Sequence, residues 1–288
     1  MKIVSKIIRL ISRSIRTAKA VRKCWRDGGV ATIHVAQINY GGILKGKSVL
    51  VTGGSSGIGL AIAKKCLSEG AQVVITGRNA QKLETVAVEI HHPSLKTLNW
   101  DVSAVDQAEE QLLKAVALAG GKLDILVNNA GILSREKCFL DLTEKTWDDI
   151  SAVNAKGLVF LTQAVSRLWI REKQGGKIIN ISSMRGFLGV LDGPYGMSKW
   201  GLVGLTRGLG LTLLPHGIIV NGVAPGVTDT NIAGIDANDN AYFEWCPPSR
   251  RVALPEEIAE LTVFLMSDAA NYIVGQTIIC DGGYTLKV

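Results

Sequence analysis

Residues 48–59 read SVLVTGGSSGIG, an apolar run that leads directly into a glycine-rich turn. The turn has the spacing G-x3-G-x-G, from Gly53 through Gly57 to Gly59, and an apolar helical pattern follows it. Glycines in such a turn let the backbone approach a diphosphate, whose negative charge then lies at the N-terminus of the following helix. The position of the turn after the first strand and before a helix therefore predicts a dinucleotide-binding turn.

Beyond this turn, short β-branched runs alternate with longer helical patterns. The predicted strands cover residues 48–52, 72–76, 96–100, 123–128, 177–182, 218–223 and 276–280. The predicted helices cover residues 57–69, 79–91, 104–119, 143–171, 195–214 and 255–267. Most of the strands are apolar throughout, as in parallel strands that are buried on both faces. The pattern predicts an α/β fold: one domain over residues 47–288, with a doubly wound parallel seven-stranded sheet and helices on both faces.

The charge of the chain is concentrated at its beginning. The 288 residues include 32 basic and 25 acidic residues, a formal net charge of +7, yet residues 1–27 hold nine of the basic residues and one acid. The remaining residues carry 23 basic and 24 acidic side chains and are close to neutral. We therefore expect no nucleic acid partner for the domain. Five cysteines and four histidines are scattered, which predicts neither a disulfide framework nor a metal site.

Residues 1–46 are predicted to form a basic amphipathic helix and a linker. Apolar residues recur at helical spacing over residues 3–25, with most of the basic residues on the opposite face. Such a helix binds readily to an anionic membrane surface, and it could equally pack in the protein's own oligomer or act as a mitochondrial targeting peptide. These three interpretations stay open at this point. The expected location is the cytoplasm, with peripheral contact at the inner face of a membrane through residues 1–27.

The end of the second strand indicates which dinucleotide would bind. An acid is common at this position where NAD is preferred, because it holds the ribose 2′-hydroxyl. Here the sequence is Thr76-Gly77-Arg78, with no acid. Arg78, with the hydroxyls of Ser55 and Ser56 nearby, suits a 2′-phosphate. This favours NADP(H) over NAD(H).

A tyrosine and a lysine four residues apart, Tyr195 and Lys199, lie at the start of the predicted helix over residues 195–214. They share one face of that helix, so the lysine charge is expected to lower the pKa of the phenol and make it a usable acid or base. Ser182 and Ser183 follow the fifth strand, at the edge of the sheet where ligands bind. A hydroxyl there can polarise a substrate carbonyl. The loop from Ser183 to Tyr195 leaves open which serine reaches the substrate, and we favour Ser183.

Together these motifs resemble the short-chain dehydrogenase/reductase family over about residues 45–288, with a frame similar to 3-oxoacyl reductases. The matching segments are TGGSSGIG at 52–59, NNAG at 128–131, VNAKG at 153–157, YGMSK at 195–199 and PGVTDT at 225–230. The resemblance implies Asn154, Ser183, Tyr195 and Lys199 as the catalytic residues. It implies cofactor contacts at Gly53, Ser55, Ser56, Gly57, Ile58, Gly59, Arg78, Asp101, Val102, Asn128, Ala130, Gly131, Tyr195, Lys199, Pro225, Gly226, Thr228 and Thr230.

The implied activity is the reversible reduction of a ketone or oxoacyl group to a secondary alcohol, on a small-molecule substrate. Hydride would come from NADPH and the proton from Tyr195, while Asn154 would hold a water in the proton relay. The family also implies a homodimer or homotetramer through the helices over residues 143–171 and 195–214. A cofactor-binding scaffold attached through its N-terminal helix is the alternative, and a sugar epimerase or dehydratase is a weaker one. Aromatic residues at 242, 243 and 245 would either line an apolar pocket or pack a lid closed.

Overall fold

A seven-stranded sheet forms the centre of the protein, seen in a computed structural model that describes residues 38–133, 139–189, 193–230, 247–249 and 251–287. The strands are β1 Ser48–Val51, β2 Gln72–Gly77, β3 Leu95–Asn99, β4 Ile125–Asn128, β5 Gly176–Ile181, β6 Ile218–Pro225 and β7 Thr277–Cys280. Their order is β3-β2-β1-β4-β5-β6-β7, and every neighbouring pair is parallel. The predicted doubly wound sheet is confirmed, and each predicted strand end agrees with the structure to within two residues.

Helices cover both faces of this sheet. They are α1 Gly57–Ser68, α2 Ala80–Ile90, α3 Ala108–Leu118, α4 Glu144–Ser151, α5 Leu158–Arg171, α6 Gly193–Leu213 and α7 Pro255–Met266. Successive strand residues point to opposite faces, so Val49 and Val51 pack with α1 and α7 while Leu50 packs with α3 and α5. All four residues of β1 are buried, as the apolar sequence of that strand predicts.

The predicted helix over residues 143–171 is interrupted by wider turns. Between α4 and α5, residues Ala152–Gly157 form a π-helix. At its end, a Cβ on Gly157 would lie 2.4 Å from the Val102 carbonyl oxygen, so the helix passes directly against the loop after β3. Periodicity shows one apolar face along this whole segment and cannot reveal a local change in helix width. π turns of this kind occur most often at functional sites.

Residues 38–42, which we call the N-terminal strap, are held at the end of α1. The Tyr40 and Gly42 amides donate to the Glu69 carboxylate at 3.2 and 3.1 Å. Lys65 pairs with Glu69 at 3.1 Å and with Glu260 on α7 at 3.0 Å, and it also donates to the Ile38 carbonyl. Since α1 runs from the carboxyl end of β1 to the amino end of β2, this cluster lies at the amino edge of the sheet.

The predicted basic helix over residues 1–27 lies outside the described residues. The boundary between residues 1–46, the N-terminal helix and linker, and the domain over residues 47–288 therefore stays a prediction. Within the described residues, no helix is both long and apolar enough to cross a membrane.

Candidate active site

The glycine-rich turn after β1 forms one wall of a cleft of about 360 Å³ at the carboxyl edge of the sheet. Gly53 and Gly57 adopt φ values of 65° and 53°, which residues with a Cβ rarely adopt. Ser56 precedes α1 in an extended conformation, and its side chain caps none of the helix amides. The first amides of α1 are thus left for a ligand, and the turn has the shape that a diphosphate requires.

The turn is also packed too tightly to accept side chains. A Cβ on Gly59 would lie 2.4 Å from both the side-chain amide nitrogen of Asn129 and the carbonyl oxygen of Gly53. Asn129 donates to the carbonyls of Thr52 and Gly53 at 2.9 and 3.1 Å, which ties the end of β4 to the turn. Asn129 was not among the predicted site residues, although it is the second asparagine of the NNAG segment and follows β4 directly.

A second wall adjoins this turn and comes from the ends of β2 and β3: the Gly54 amide of the turn donates to the Thr76 carbonyl at 3.0 Å. Thr76, Gly77 and Arg78 lie there with Lys82 of α2 and with Trp100, Asp101 and Val102. Asn79 caps α2 by accepting a hydrogen bond from the Lys82 amide at 2.9 Å. The cap places Lys82 one helical turn after Arg78, so two cations line this end of the cleft. Lys82 was not among the predicted cofactor residues, because it lies one helical turn beyond the end of β2, where the charge pattern that favours NADP(H) was sought.

Most of the predicted cofactor residues line this one cleft. They are Gly53, Ser55, Ser56, Gly57, Ile58, Gly59, Arg78, Asp101, Val102, Ala130, Gly131, Tyr195, Lys199 and Thr230. Asn128 lies instead in the core, where its side chain donates to Thr162 and Asn180 at 2.9 Å each. Its side chain therefore supports the sheet beneath the cleft.

The loop after β6 approaches the cleft through a single residue among those described. A Cβ on Gly57 would lie 3.1 Å from Thr230 Cγ2, so this threonine closes over the glycine-rich turn. Pro225, Gly226 and Thr228 shape the loop behind it: the Thr228 hydroxyl donates to the Gly226 carbonyl at 3.1 Å. The predicted aromatic lid residues at 242, 243 and 245 lie outside the described residues.

Tyr195 and Lys199 both line the cleft from the first turns of α6. The Lys199 ammonium lies 5.7 Å from the centre of the Tyr195 ring and donates to the Ile181 carbonyl at 2.9 Å. Burial lowers the pKa of Lys199 from 10.5 to about 8, because the charged form is removed from water. The ammonium is still the main form at neutral pH, and its charge lies beside the phenol.

Asn154 lies within the π-helix and is buried. Its side chain accepts from the Ile132 amide at 2.8 Å and donates to the Ile132 carbonyl at 2.9 Å. It also donates to Ser198 at 3.2 Å, and Ser198 in turn donates to the Tyr195 carbonyl at 2.7 Å. Asn154 thus joins the loop after β4 to the turn of α6 that carries the tyrosine.

The two serines after β5 have different partners. Ser182 borders the cleft, but its hydroxyl donates to the Lys199 carbonyl at 3.1 Å. Ser183 accepts a hydrogen bond from the Arg185 amide at 3.2 Å, and no bond among the described residues uses its hydroxyl hydrogen. Ser183 is not among the residues that line the cleft, but its hydroxyl hydrogen is unused among the described residues, whereas the Ser182 hydrogen is already bonded to α6.

Known proteins resemble this chain over most of its length. A family model described as enoyl-(acyl carrier protein) reductase matches residues 53–285. The 3-oxoacyl-(acyl-carrier-protein) reductase of Aquifex aeolicus is 38% identical over 251 residues, which are 83% of this chain and 98% of that protein. The family match begins at Gly53, the first glycine of the glycine-rich turn.

Two solved structures share the fold at close similarity. Gluconate 5-dehydrogenase from Burkholderia cenocepacia, in complex with NADP and tartrate, has a TM-score of 0.79 and 33% identity, covering 85% of this chain and 97% of its own. A 3-ketoacyl-(acyl-carrier-protein) reductase from Brucella melitensis, complexed with NADH, has a TM-score of 0.76 and 29% identity, covering 84% of this chain and 99% of its own.

The pKa of Lys199 predicts how the site responds to alkaline pH. Loss of the ammonium charge through about pH 8 should lower kcat/KM for carbonyl reduction, since the positive charge that makes the Tyr195 phenol a stronger acid disappears. The pH profile of the wild-type enzyme measures this effect. A flat profile through this pH range contradicts it.

Thermal unfolding over the same pH range is the control. The folded chain releases the Lys199 proton near pH 8 and the unfolded chain near 10.5, so this group's contribution to the free energy of unfolding rises between those values. A fall in activity without a matching fall in stability therefore assigns the effect to the site.

Proposed function

Because the chain belongs to the short-chain dehydrogenase/reductase family, we propose that it is an NADPH-dependent reductase that converts a ketone or oxoacyl group into a secondary alcohol. The relatives make it an NAD(P)-dependent oxidoreductase that interconverts ketone and alcohol groups. The observation that carries the finer proposal is the shared cleft. One continuous surface joins the glycine-rich turn, the cations at the end of β2 and the Tyr195–Lys199 pair.

The catalytic roles follow from Tyr195 and Lys199, which line this cleft, and from Ser183, which comes directly after the cleft residue Ser182. When bound, the nicotinamide supplies the hydride to the carbonyl carbon. Tyr195 donates the proton to the carbonyl oxygen, and Ser183 orients that oxygen with its remaining hydroxyl hydrogen. Lys199 places a positive charge next to Tyr195 and is held there by the Ile181 carbonyl.

Asn154 supports this arrangement through Ile132 and Ser198. Because its side-chain amide is already bonded to those residues, we assign its contact with a relay water to its backbone in the π-helix. In a π-helix the hydrogen bonds run from residue i to i+5, which displaces carbonyl groups from the usual α-helical pairing. A carbonyl displaced in this way is suited to accept a hydrogen bond from water.

Replacing Tyr195 with Phe tests the proposed reaction. The ring stays but the proton donor is lost, so turnover should fall by about 10²–10⁴-fold. Steady-state kinetics on 3-oxoacyl thioesters and on keto-sugar acids, with NADPH and with NADH, measure this loss, and fluorescence titration should show NADPH affinity unchanged. Tyr272→Phe, at a fully exposed tyrosine, is the matched control and should behave as wild type.

Near-normal turnover by Tyr195→Phe would overturn the role of Tyr195. Lack of turnover by the wild-type enzyme on every carbonyl compound with both cofactors would overturn the reductase proposal and favour the scaffold alternative.

The proposed preference for NADPH rests on charge at one end of the cleft. Arg78 and Lys82 line it, and the end of β2 supplies no carboxylate that would oppose a 2′-phosphate. Two solved relatives hold different cofactors, NADP in one and NADH in the other. The shared fold alone therefore does not decide between NADPH and NADH. We assign the preference for NADPH to Arg78 and Lys82.

Separate Arg78→Ala and Lys82→Ala variants test the preference. Each lost contact to a 2′-phosphate should weaken NADPH binding by about 10- to 100-fold and leave NADH binding nearly unchanged. The readout is the ratio of the two dissociation constants from fluorescence titration. Lys64→Ala, at an exposed lysine of α1 that does not line the cleft, is the control. Equal or tighter NADH binding by the wild type would overturn the proposal.

We also propose that the enzyme is a homodimer or homotetramer assembled through α5 and α6. On α6, Met197, Trp200 and Leu211 are 61%, 53% and 80% exposed. Three glycines lie among them, Gly201, Gly204 and Gly208, and a Cβ on each would meet no described atom beyond its own part of α6 within 4 Å. Glycine costs roughly 1 kcal/mol relative to alanine in an exposed helix. Close approach of a second copy of the chain to α6 explains why three glycines lie beside large exposed apolar side chains.

For residues 1–27 we propose reversible contact with an anionic membrane surface by an otherwise cytoplasmic enzyme. The net charge of +8 in these residues supports this. The N-terminal strap adds an orientation, because Glu69 and Lys65 anchor it at the amino edge of the sheet. The cleft lies at the opposite edge, so a segment that leaves from the strap can bind a membrane while the cleft faces the solvent.

Three proteins separate these last two proposals: the full chain, a truncation that begins at Ile38, and full-length Gly204→Leu. The truncation keeps the strap, so it should retain activity and oligomeric state but lose binding to anionic vesicles at low salt. Gly204→Leu should bind vesicles but sediment and scatter light as a smaller species. Equal vesicle binding by the full chain and the truncation contradicts the membrane proposal. Dissociation of the truncation would assign the segment to assembly instead.

A further inference from the structure

Three consecutive residues at the end of β5 are bonded to α6. The Asn180 side chain donates to the Thr206 hydroxyl at 2.9 Å. The Ile181 carbonyl accepts from the Lys199 ammonium at 2.9 Å, and the Ser182 hydroxyl donates to the Lys199 carbonyl at 3.1 Å. Lys199 and Thr206 are seven residues apart, so they lie on one face of α6 roughly 10 Å from each other. Attachment at two points on one face determines both the position and the rotation of the helix.

Asn180 is itself oriented from the other side. Its side-chain oxygen accepts from the Asn128 amide at 2.9 Å, and Asn128 also donates to the Thr162 hydroxyl on α5 at 2.9 Å. The Thr206 hydroxyl donates in turn to the Leu202 carbonyl at 2.7 Å. The hydrogen bonds thus run in one direction, from Asn128 through Asn180 and Thr206 into the backbone of α6.

This polar chain crosses the apolar core between the sheet and two helices. Asn128, Thr162, Asn180 and Thr206 are each 2% exposed or less. Apolar side chains would fill the same space and would avoid the cost of burying polar groups. They would also allow α6 to slide or rotate on the sheet, because apolar packing has no preferred direction. A satisfied buried network specifies one arrangement.

We propose that Asn180 and Thr206 are positioning residues for the catalytic pair on α6, the helix that carries Tyr195 and Lys199. This inference rests on the proposed reductase function. Neither residue lines the cleft, so they act through the helix. Displacement of a reacting group by about 1 Å can cost on the order of 100-fold in rate. A small shift of α6 would therefore lower turnover without removing any group that contacts the substrate.

Thr206→Val tests this proposal, because valine keeps the shape and loses the hydroxyl. Thr262→Val is the matched control: Thr262 is fully buried on α7, and its hydroxyl donates only to the carbonyl four residues earlier, Ile258, at 2.7 Å. Both variants lose the bond to the carbonyl four residues earlier, and Thr206→Val also loses the bond from Asn180, so Tm should fall in both and further in Thr206→Val. Only Thr206→Val should lower kcat, by about 10- to 100-fold, with the dissociation constant of NADPH at neutral pH unchanged. Thr206→Ser, which restores the hydroxyl, should restore kcat.

A second readout does not depend on turnover. The pH dependence of NADPH affinity should show a midpoint near the pKa of Lys199, about 8. Thr206→Val should move this midpoint, because it shifts Lys199 relative to its surroundings, whereas Thr262→Val should leave it in place. Thr206→Cys, which keeps a weak acceptor, replaces the valine variant if that variant does not fold. Its kcat should be lower than the kcat of the wild type and of Thr206→Ser.

Two outcomes overturn the proposal: equal kcat for the Thr206 and Thr262 variants, or an unshifted midpoint in both. Failure of the wild-type enzyme to turn over any carbonyl compound would instead overturn the reductase function, and the midpoint measurement would still decide the role of Thr206.

Discussion

Close backbone packing between the ends of β1 and β4 is the constraint on which the site depends. The turn after β1 has room only for glycine at Gly59, where a Cβ would meet the Asn129 side chain and the Gly53 carbonyl. This packing places the first turn of α1 along the cleft, and no side chain caps its amides. At the same point the strand order reverses, since β1 has β2 on one side and β4 on the other. The connections from these two strands leave in opposite directions, and the cleft lies between them.

A buried charge organises the catalytic half of the cleft. Lys199 is removed from water, which lowers its pKa, and its ammonium is compensated by a backbone carbonyl at the end of β5. An ammonium in such surroundings produces a strong local electrostatic field, because little solvent screens its charge. The site thus combines an exposed cationic end, Arg78 and Lys82, with a buried cation beside Tyr195. The first end suits a phosphate of the dinucleotide, and the second suits its nicotinamide with the substrate carbonyl beside it.

The polar interior connects these catalytic groups to the sheet. Asn154 joins α6 to the loop after β4, and Asn180 joins α6 to β5. Both contacts are made by buried amide side chains, which can donate and accept at once. The π-helix at residues 152–157 belongs to the same arrangement, because it brings Asn154 to Ile132 while Gly157 packs against Val102.

The local sequence determined the fold class, the places of the strands and the glycine-rich turn. Those features depend on patterns within a few residues: continuous apolar runs for the parallel strands, and glycine spacing for the turn. The sequence also contained the residues that meet in the cleft, from Ser55 to Lys199.

Only the tertiary structure decided which partner each side chain bonds to. It separated Ser182 from Ser183 by their hydrogen bonds, directed Asn128 into the core and brought Asn129 and Lys82 to the cleft. It also placed π turns inside a helix whose apolar periodicity is unbroken. These outcomes depend on contacts between residues far apart in the chain, such as Asn180 with Asn128 and Thr206, which no local pattern records.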